Sequence, residues 1–403
     1  MMYHKGSMTL EEILRLAVQK GASDIHLKAG VTPVVRQHGV LRALSAKEPP
    51  LSSEEIEAMA RQVMNEKQWA YFLEHHEIDF GYGIAGVARF RFNAFRQRGT
   101  VRIVVRNVPH VIPTFADLSL PKQMSKLAQL ERGLVLVTGA AGTGKSSTIA
   151  SLINEINQNV NKHILTIEDP IEFLIRDKKS LITQREVGVD TADFMRALRA
   201  GLRQDPDVIF IGEMRDRETM EIALIAAETG HLVFSTLHTL DAPETINRIL
   251  STFESARHAQ LRLQMGSTVR AIISQRLCRR KDGSGFVPAV EILVNNARVR
   301  EMIEDPQKTS MLHDAIEEGQ TAWGMQSFDQ SLMELLDQGT ITMDEALLHC
   351  SKPEDFRIRV GGITAMDGKK WSSKGDLKKD NKEWATEVEL QLTNAGIKKK
   401  KAT

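Results

Sequence analysis

Only two cysteines, Cys278 and Cys350, occur in 403 residues. Two are too few for a disulfide framework or a four-cysteine zinc site, and both are expected to pack as small apolar residues. Long apolar runs are also missing. None approaches the roughly 20 residues of a membrane span, and the opening MMYHKGSMTLEEILRL is charged where a signal peptide would be apolar. The expected location is the cytoplasm. Neither sign of charge is in excess, with 53 Lys and Arg against 52 Asp and Glu. Without a global field to grip phosphate backbones, no nucleic-acid partner is expected.

Hydrophobic residues make up 42% of the chain, enough for two ordinary domains. Leu10, Ile13, Leu14 and Val18 recur at helical spacing before Gly21. Strand-like segments (SDIHLKA, VTPVVRQHGVL), a helical stretch from Ser53 to Glu74, and three more strand-like runs follow. These predict a small α+β domain over residues 8–108. The proline-rich segment PHVIPTFADLSLP reads as a linker over 109–121. Over 122–350, apolar strands alternate with helices (GLVLVTG, SSTIASLINEINQNV, HILTIED, DVIFIGE, ETMEIALIAAET, HLVFSTLH), which predicts an α/β domain with a parallel sheet. From about Pro243 to His349 the pattern is mostly helical. Residues 351–403 are polar and Lys-rich, and are expected to be a loosely ordered tail.

The most specific motif is GAAGTGKS between a strand and a helix, fitting G-x-x-x-x-G-K-[ST]. Such a loop aims backbone N–H groups at phosphate oxygens, which Gly139, Gly142 and Gly144 permit. Ala140, Ala141, Thr143 and Ser147 complete the candidate cradle. Lys145 can reach the β- and γ-phosphates of ATP, and Ser146 can ligate Mg²⁺. The strand DVIFIGE delivers Glu213 as a base for an attacking water, unless it only caps the next helix. An ordinary Walker B would carry an aspartate at Gly212, so metal ligation falls to Ser146, Glu213 and waters. In TIEDPIE, three acids crowd together: Glu168 and Asp169 are candidate Mg²⁺ ligands, and Glu172 is a candidate water organiser. Asp169, preceding proline, is alternatively a turn cap. His231 and His238 flank a strand as candidate phosphate sensors, or serve structure alone.

Taken in order, GAAGTGKS, TIEDPIE, DPDVIFIGEMRD and GHLVFSTLH resemble the Walker A, Asp box, Walker B and His box of the type II/IV secretion ATPase superfamily. RALRAGLRQDPD, AIISQRL, ASDIHL and ARFRFNAFRQR extend the resemblance over about residues 8–350. It implies a RecA-like P-loop domain preceded by a PAS-like domain, and a homohexamer with ATP between subunits. In that geometry Arg89, Arg91 and Arg106 become candidates to reach nucleotide in trans, with Arg96 and Arg98 behind them; on a strand, such arginines are otherwise solvated surface.

Assembly ATPases of the superfamily usually carry the four-cysteine motif and a longer amino-terminal region, so the resemblance is to the PilT-like retraction branch or the similar PilU-like accessory motors. The branch motif AIRNLIRE corresponds to ARVREMIED, which keeps Arg300 and Ile303 but has Glu304 in place of an arginine. The implied partners are an inner-membrane pilus platform protein and a second retraction ATPase. Two other classes stay open: a nucleotide-gated scaffold with little turnover, and a nucleic-acid translocase.

Overall fold

A computed structural model describes residues 8–37, 39–46, 48–108 and 111–361. Pro109, at the start of the expected linker, and all of the expected tail from residue 362, including Lys398 to Lys401, lie outside the described residues. The chain divides into two compact units: residues up to 112 together with 163–205, and residues 113–162 together with those from 206.

In the first unit, helix Leu10–Gln19 opens with a reciprocal cap between Thr9 and Glu12. The stretch expected as one helix from Ser53 is two, Ser53–Val63 and Glu66–His75. Asn65 forms a second capping box with Gln68, so a fresh helix start wins over continuation. Six antiparallel strands lie in the order Val40–Ala43, Val34–Gln37, Asp24–Leu27, Thr100–Val108, Ala88–Gln97, Glu77–Ile84. Alternation along Ala88–Gln97 sends Ala88, Phe90, Phe92 and Ala94 into the core. Arg89, Arg91 and Asn93 therefore share the opposite face. Residues 163–205 contribute the parallel pair His163–Glu168 and Leu181–Glu186 and helix Phe194–Gly201. The second strand of that pair, LITQRE, is short and half-polar and escaped the sequence reading.

In the second unit, the strands lie in the order Phe286–Val294, Val269–Arg279, Gly133–Thr138, Leu232–Leu237, Val208–Ile211. All pairs are parallel except the first. The central strands are buried along their whole length, as continuous apolar runs in a covered parallel sheet require. Residues 269–294 correct the expectation of a mostly helical region. They form a long hairpin whose apolar stretches pack beside the P-loop strand, and a fully buried strand cannot be told from a buried helix by periodicity alone. Beyond it, helices Phe328–Asp337, Met343–His349 and Pro353–Val360 close a second core containing Phe328, Leu332, Phe356 and Cys278. Burial pushes the Cys278 thiol up to about 12, so it packs as the expected small apolar residue.

Candidate active site

Strand Gly133–Thr138 ends in a loop that only glycine can form comfortably. Gly139, Gly142 and Gly144 have φ of 142°, 81° and 89°. A Cβ on Gly139 would lie 2.5 Å from the Gln275 carbonyl oxygen, whereas one on Gly142 or Gly144 would meet nothing within 4 Å. The loop is thus pressed onto the sheet on one side and open on the other. Helix Lys145–Asn159 starts at Gly144 without a side-chain cap, so its first-turn N–H groups and positive dipole end are available to an anion.

Lys145 is buried, with Nζ donating to the Gly139 and Ala140 carbonyls at 2.7 and 2.8 Å. Thr143 Oγ1 donates to the Ala140 carbonyl at 2.9 Å. Ala140 and Ala141 are exposed at the tip, and Ser146 and Ser147 are half-buried in the first helical turn. Gln275 Nε2 donates to Thr148 Oγ1 at 2.9 Å, anchoring that helix to the sheet. This donor set fits a nucleotide triphosphate, and the Ser146 hydroxyl suits a hard cation such as Mg²⁺.

Pairing of Ile211 with Ser235 and of Leu237 with Thr138 brings the ends of three parallel strands to one edge of the sheet. Glu213 and His238 emerge there, with Glu213 Oε2 3.4 Å from His238 Nε2 and Glu213 Oε1 paired with Arg215. The Glu213 backbone is held on both sides. Thr236 Oγ1 donates to the Gly212 carbonyl at 2.6 Å, and the Met214 N–H donates to the Thr236 carbonyl at 3.3 Å. Ser235 Oγ adds a bond to the Ile211 carbonyl at 2.8 Å.

His231 does not join this edge. It precedes the strand that His238 follows, so the two lie at opposite ends of Leu232–Leu237. Its Nδ1 is instead 3.0 Å from the carbonyl oxygen of Ala226, near the end of helix Arg217–Glu228. Within its own chain His231 therefore meets the end of that helix and not the Glu213 edge.

In the first unit, Glu168 is buried and fully engaged. Its Oε1 accepts from Thr166 Oγ1 and Gln184 Nε2 at 2.7 and 3.1 Å, and its Oε2 from the Glu172 N–H at 3.4 Å. Burial pushes its carboxyl up to about 7. Glu168 therefore organises the loop, and Asp169 and Glu172, both exposed, are the acids open to a hydrated ion or a water.

Arg91 and Arg106 are direct cross-strand partners on the same sheet face as Arg89. Arg91 pairs with Asp79 at 3.6 Å and Arg106 with Asp24 at 3.0 Å, both arginines well exposed. Arg89 differs. It donates at 2.6 Å to Glu186, whose side chain is 2% exposed and also accepts the Ile171 N–H at 3.2 Å. Gly81 makes room for that carboxylate: a Cβ there would sit 2.5 Å from Glu186 Oε1. Glu186, Thr236 and Gln275 were not singled out from sequence. The signal for the last two was present, since a hydroxyl or amide inside an otherwise apolar strand must find a partner.

Phosphate binding by a glycine loop and Lys145, with a carboxylate two strands away to orient water, is the working arrangement of a P-loop nucleoside triphosphatase. Residues 6–315 match the family described as Type II/IV secretion system protein, and the chain belongs to that family; it is an ATPase. It is 42% identical over 349 residues to the type IV pilus retraction ATPase PilT of Pseudomonas aeruginosa, covering 87% of this chain and all of that one. To the type IV pilus ATPase PilU of the same organism it is 41% identical over 353 residues, covering 88% and 91%. A crystal structure of the pilus retraction motor PilT with bound ADP matches with a TM-score of 0.79 at 45% identity, covering 87% of this chain and 99% of that one. Among the described residues, no helix is long and apolar enough to cross a membrane.

Proposed function

We propose that the chain is the subunit of a hexameric, Mg²⁺-dependent motor that retracts a type IV pilus. The observation that carries this reading is similarity along the entire length of PilT, joined to an intact set of Lys145, Ser146 and Glu213 at one sheet edge. Lys145 and the loop N–H groups hold the β- and γ-phosphates, and Glu213 accepts the proton of the attacking water. Ser146 would hold Mg²⁺ through its hydroxyl, with water oxygens completing the shell. The ion would supply positive charge against the transferring phosphoryl group.

Arg91 and Arg106, exposed and loosely paired, suit contact with a nucleotide on a neighbouring subunit. Arg89 would have to leave Glu186 first. From Pro113 onward the linker is tied to the second unit, the Pro113 carbonyl accepting from Ser151 Oγ at 2.6 Å and Thr114 and Asp117 bonding each other. Work would be delivered to a platform protein in the inner membrane at the pilus base.

The nearly equal identity to PilU supports a second reading, an accessory retraction ATPase working beside another motor. Deleting the gene in a piliated host separates the two. Loss of twitching with surface pili retained indicates the primary motor, retraction weakened only under load indicates the accessory one, and unchanged retraction contradicts both.

A further inference from the structure

We propose that Glu291 is a positioning residue for ATP hydrolysis, joining the root of the P-loop to the helix that follows His238 through one buried carboxylate. The side chain sits on Phe286–Val294, the edge strand of the hairpin, and is buried. Its Oε1 accepts the Ala242 N–H at 2.9 Å and the Ser274 hydroxyl at 3.3 Å. Ser274 Oγ in turn accepts from Thr138 Oγ1 at 3.1 Å, and Thr138 is the last strand residue before Gly139. Ala242 is the first residue of helix Ala242–Ser251, capped by Asp241 and reached a few residues after His238. One oxygen therefore fixes both the strand that launches the phosphate loop and the segment that carries His238 beside Glu213.

The second oxygen faces outward. Oε2 lies 3.8 Å from His313 Nδ1, and His313 Nε2 lies 3.8 Å from Asp241 Oδ2. The titratable and charged groups facing Glu291 are thus Asp241, His313 and Arg276. Burial and the charge of Asp241 push its carboxyl up, Arg276 and the hydrogen bonds pulling the other way. Protonation at Oε2 leaves Oε1 free to keep both of its bonds, so the link survives across neutral pH. This role depends on hydrolysis alone, not on a pilus partner or on arginines acting in trans.

The test is steady-state ATP hydrolysis, nucleotide affinity and thermal midpoint for the full chain with E291L, E291Q, S274A and the S274A/E291L pair. Displacing catalytic groups by a fraction of an ångström is expected to lower kcat by about tenfold or more in E291L, with ADP affinity changed by less than about threefold because the phosphate cradle is untouched. E291Q, which can keep the acceptor, should restore most of the rate. S274A should lose part of it, and the double variant no more than E291L, since the two act through one chain of bonds. Wild-type kcat in E291L per folded protein, or losses that simply multiply, would overturn the proposal. If E291L does not fold, wild-type kcat in S274A overturns it and a lowered kcat at an unchanged midpoint sustains it. An inactive wild type that still binds ADP would strike at the hydrolysis assignment instead.

Discussion

Glu213 and His238 leave adjacent parallel strands and meet at 3.4 Å, with the Glu213 backbone pinned by the Thr236 hydroxyl on the strand between it and the P-loop. The carboxylate proposed as general base is therefore placed by a hydroxyl of the neighbouring strand. Thr236→Val should lower kcat by about tenfold or more while nucleotide affinity holds, since it moves a catalytic carboxylate without touching the phosphate cradle. Stopped-flow binding of a fluorescent ADP alongside turnover measures both. A rise in Kd with kcat unchanged would mean that the strand serves binding instead.

Arg89 and Arg91 alternate on one strand but should behave differently. Removing Arg89 leaves a carboxylate that is 2% exposed without its partner, so Arg89→Ala should destabilise the chain by about 3 kcal/mol or more. Arg91 and its partner Asp79 are both well exposed, so Arg91→Ala should cost less than about 1 kcal/mol. Urea titration of the two variants gives the comparison. Equal losses would contradict the buried pairing of Arg89 with Glu186.

Burial pushes the Glu291 carboxyl up to about 7 from the ordinary 4.5, so the folded state favours its protonated form. The sign follows directly. The stability associated with that proton is complete below pH 4.5 and is lost as pH rises through about 7. The fall in denaturation midpoint from pH 5 to pH 8 should therefore be smaller in Glu291→Gln than in the wild type. Parallel midpoints across that range would show that Glu291 is not held protonated.

Gly139 combines a φ of 142° with a backbone carbonyl 2.5 Å from where a side chain would begin. Neither the strand nor the loop can yield cheaply, so Gly139→Ala should abolish detectable nucleotide binding and lower the thermal midpoint. Gly142→Ala has open space above it and meets only the positive φ, so it should weaken binding with a smaller loss of stability. Calorimetric titration with ADP separates the two.

The phosphate loop was fully legible in the sequence because its chemistry is local: glycine conformations, one lysine and a helix start lie within one short run. Glu213 and His238 were legible as strand ends on an alternating α/β pattern, and Arg89 and Arg91 as one face of a strand with Arg106 on the next. Burial was not legible. The three acids of TIEDPIE look equivalent in sequence, yet Glu168 is enclosed by three donors while Asp169 and Glu172 are exposed. His231 and His238 look symmetrical about their strand, but only one end of a parallel sheet carries the loop. The hairpin at 269–294 reads as helix in the sequence because both of its strands are largely buried on both faces, which removes the alternation that marks a strand.

Glu213 is the residue proposed to activate water. Steady-state ATP hydrolysis with Mg²⁺ should be lost almost entirely in Glu213→Gln while ATP binding stays at the wild-type level, and Lys145→Ala should lose both. Wild-type turnover in Glu213→Gln would contradict the assignment of the base, and a wild-type chain that binds ATP without hydrolysing it would contradict the motor itself.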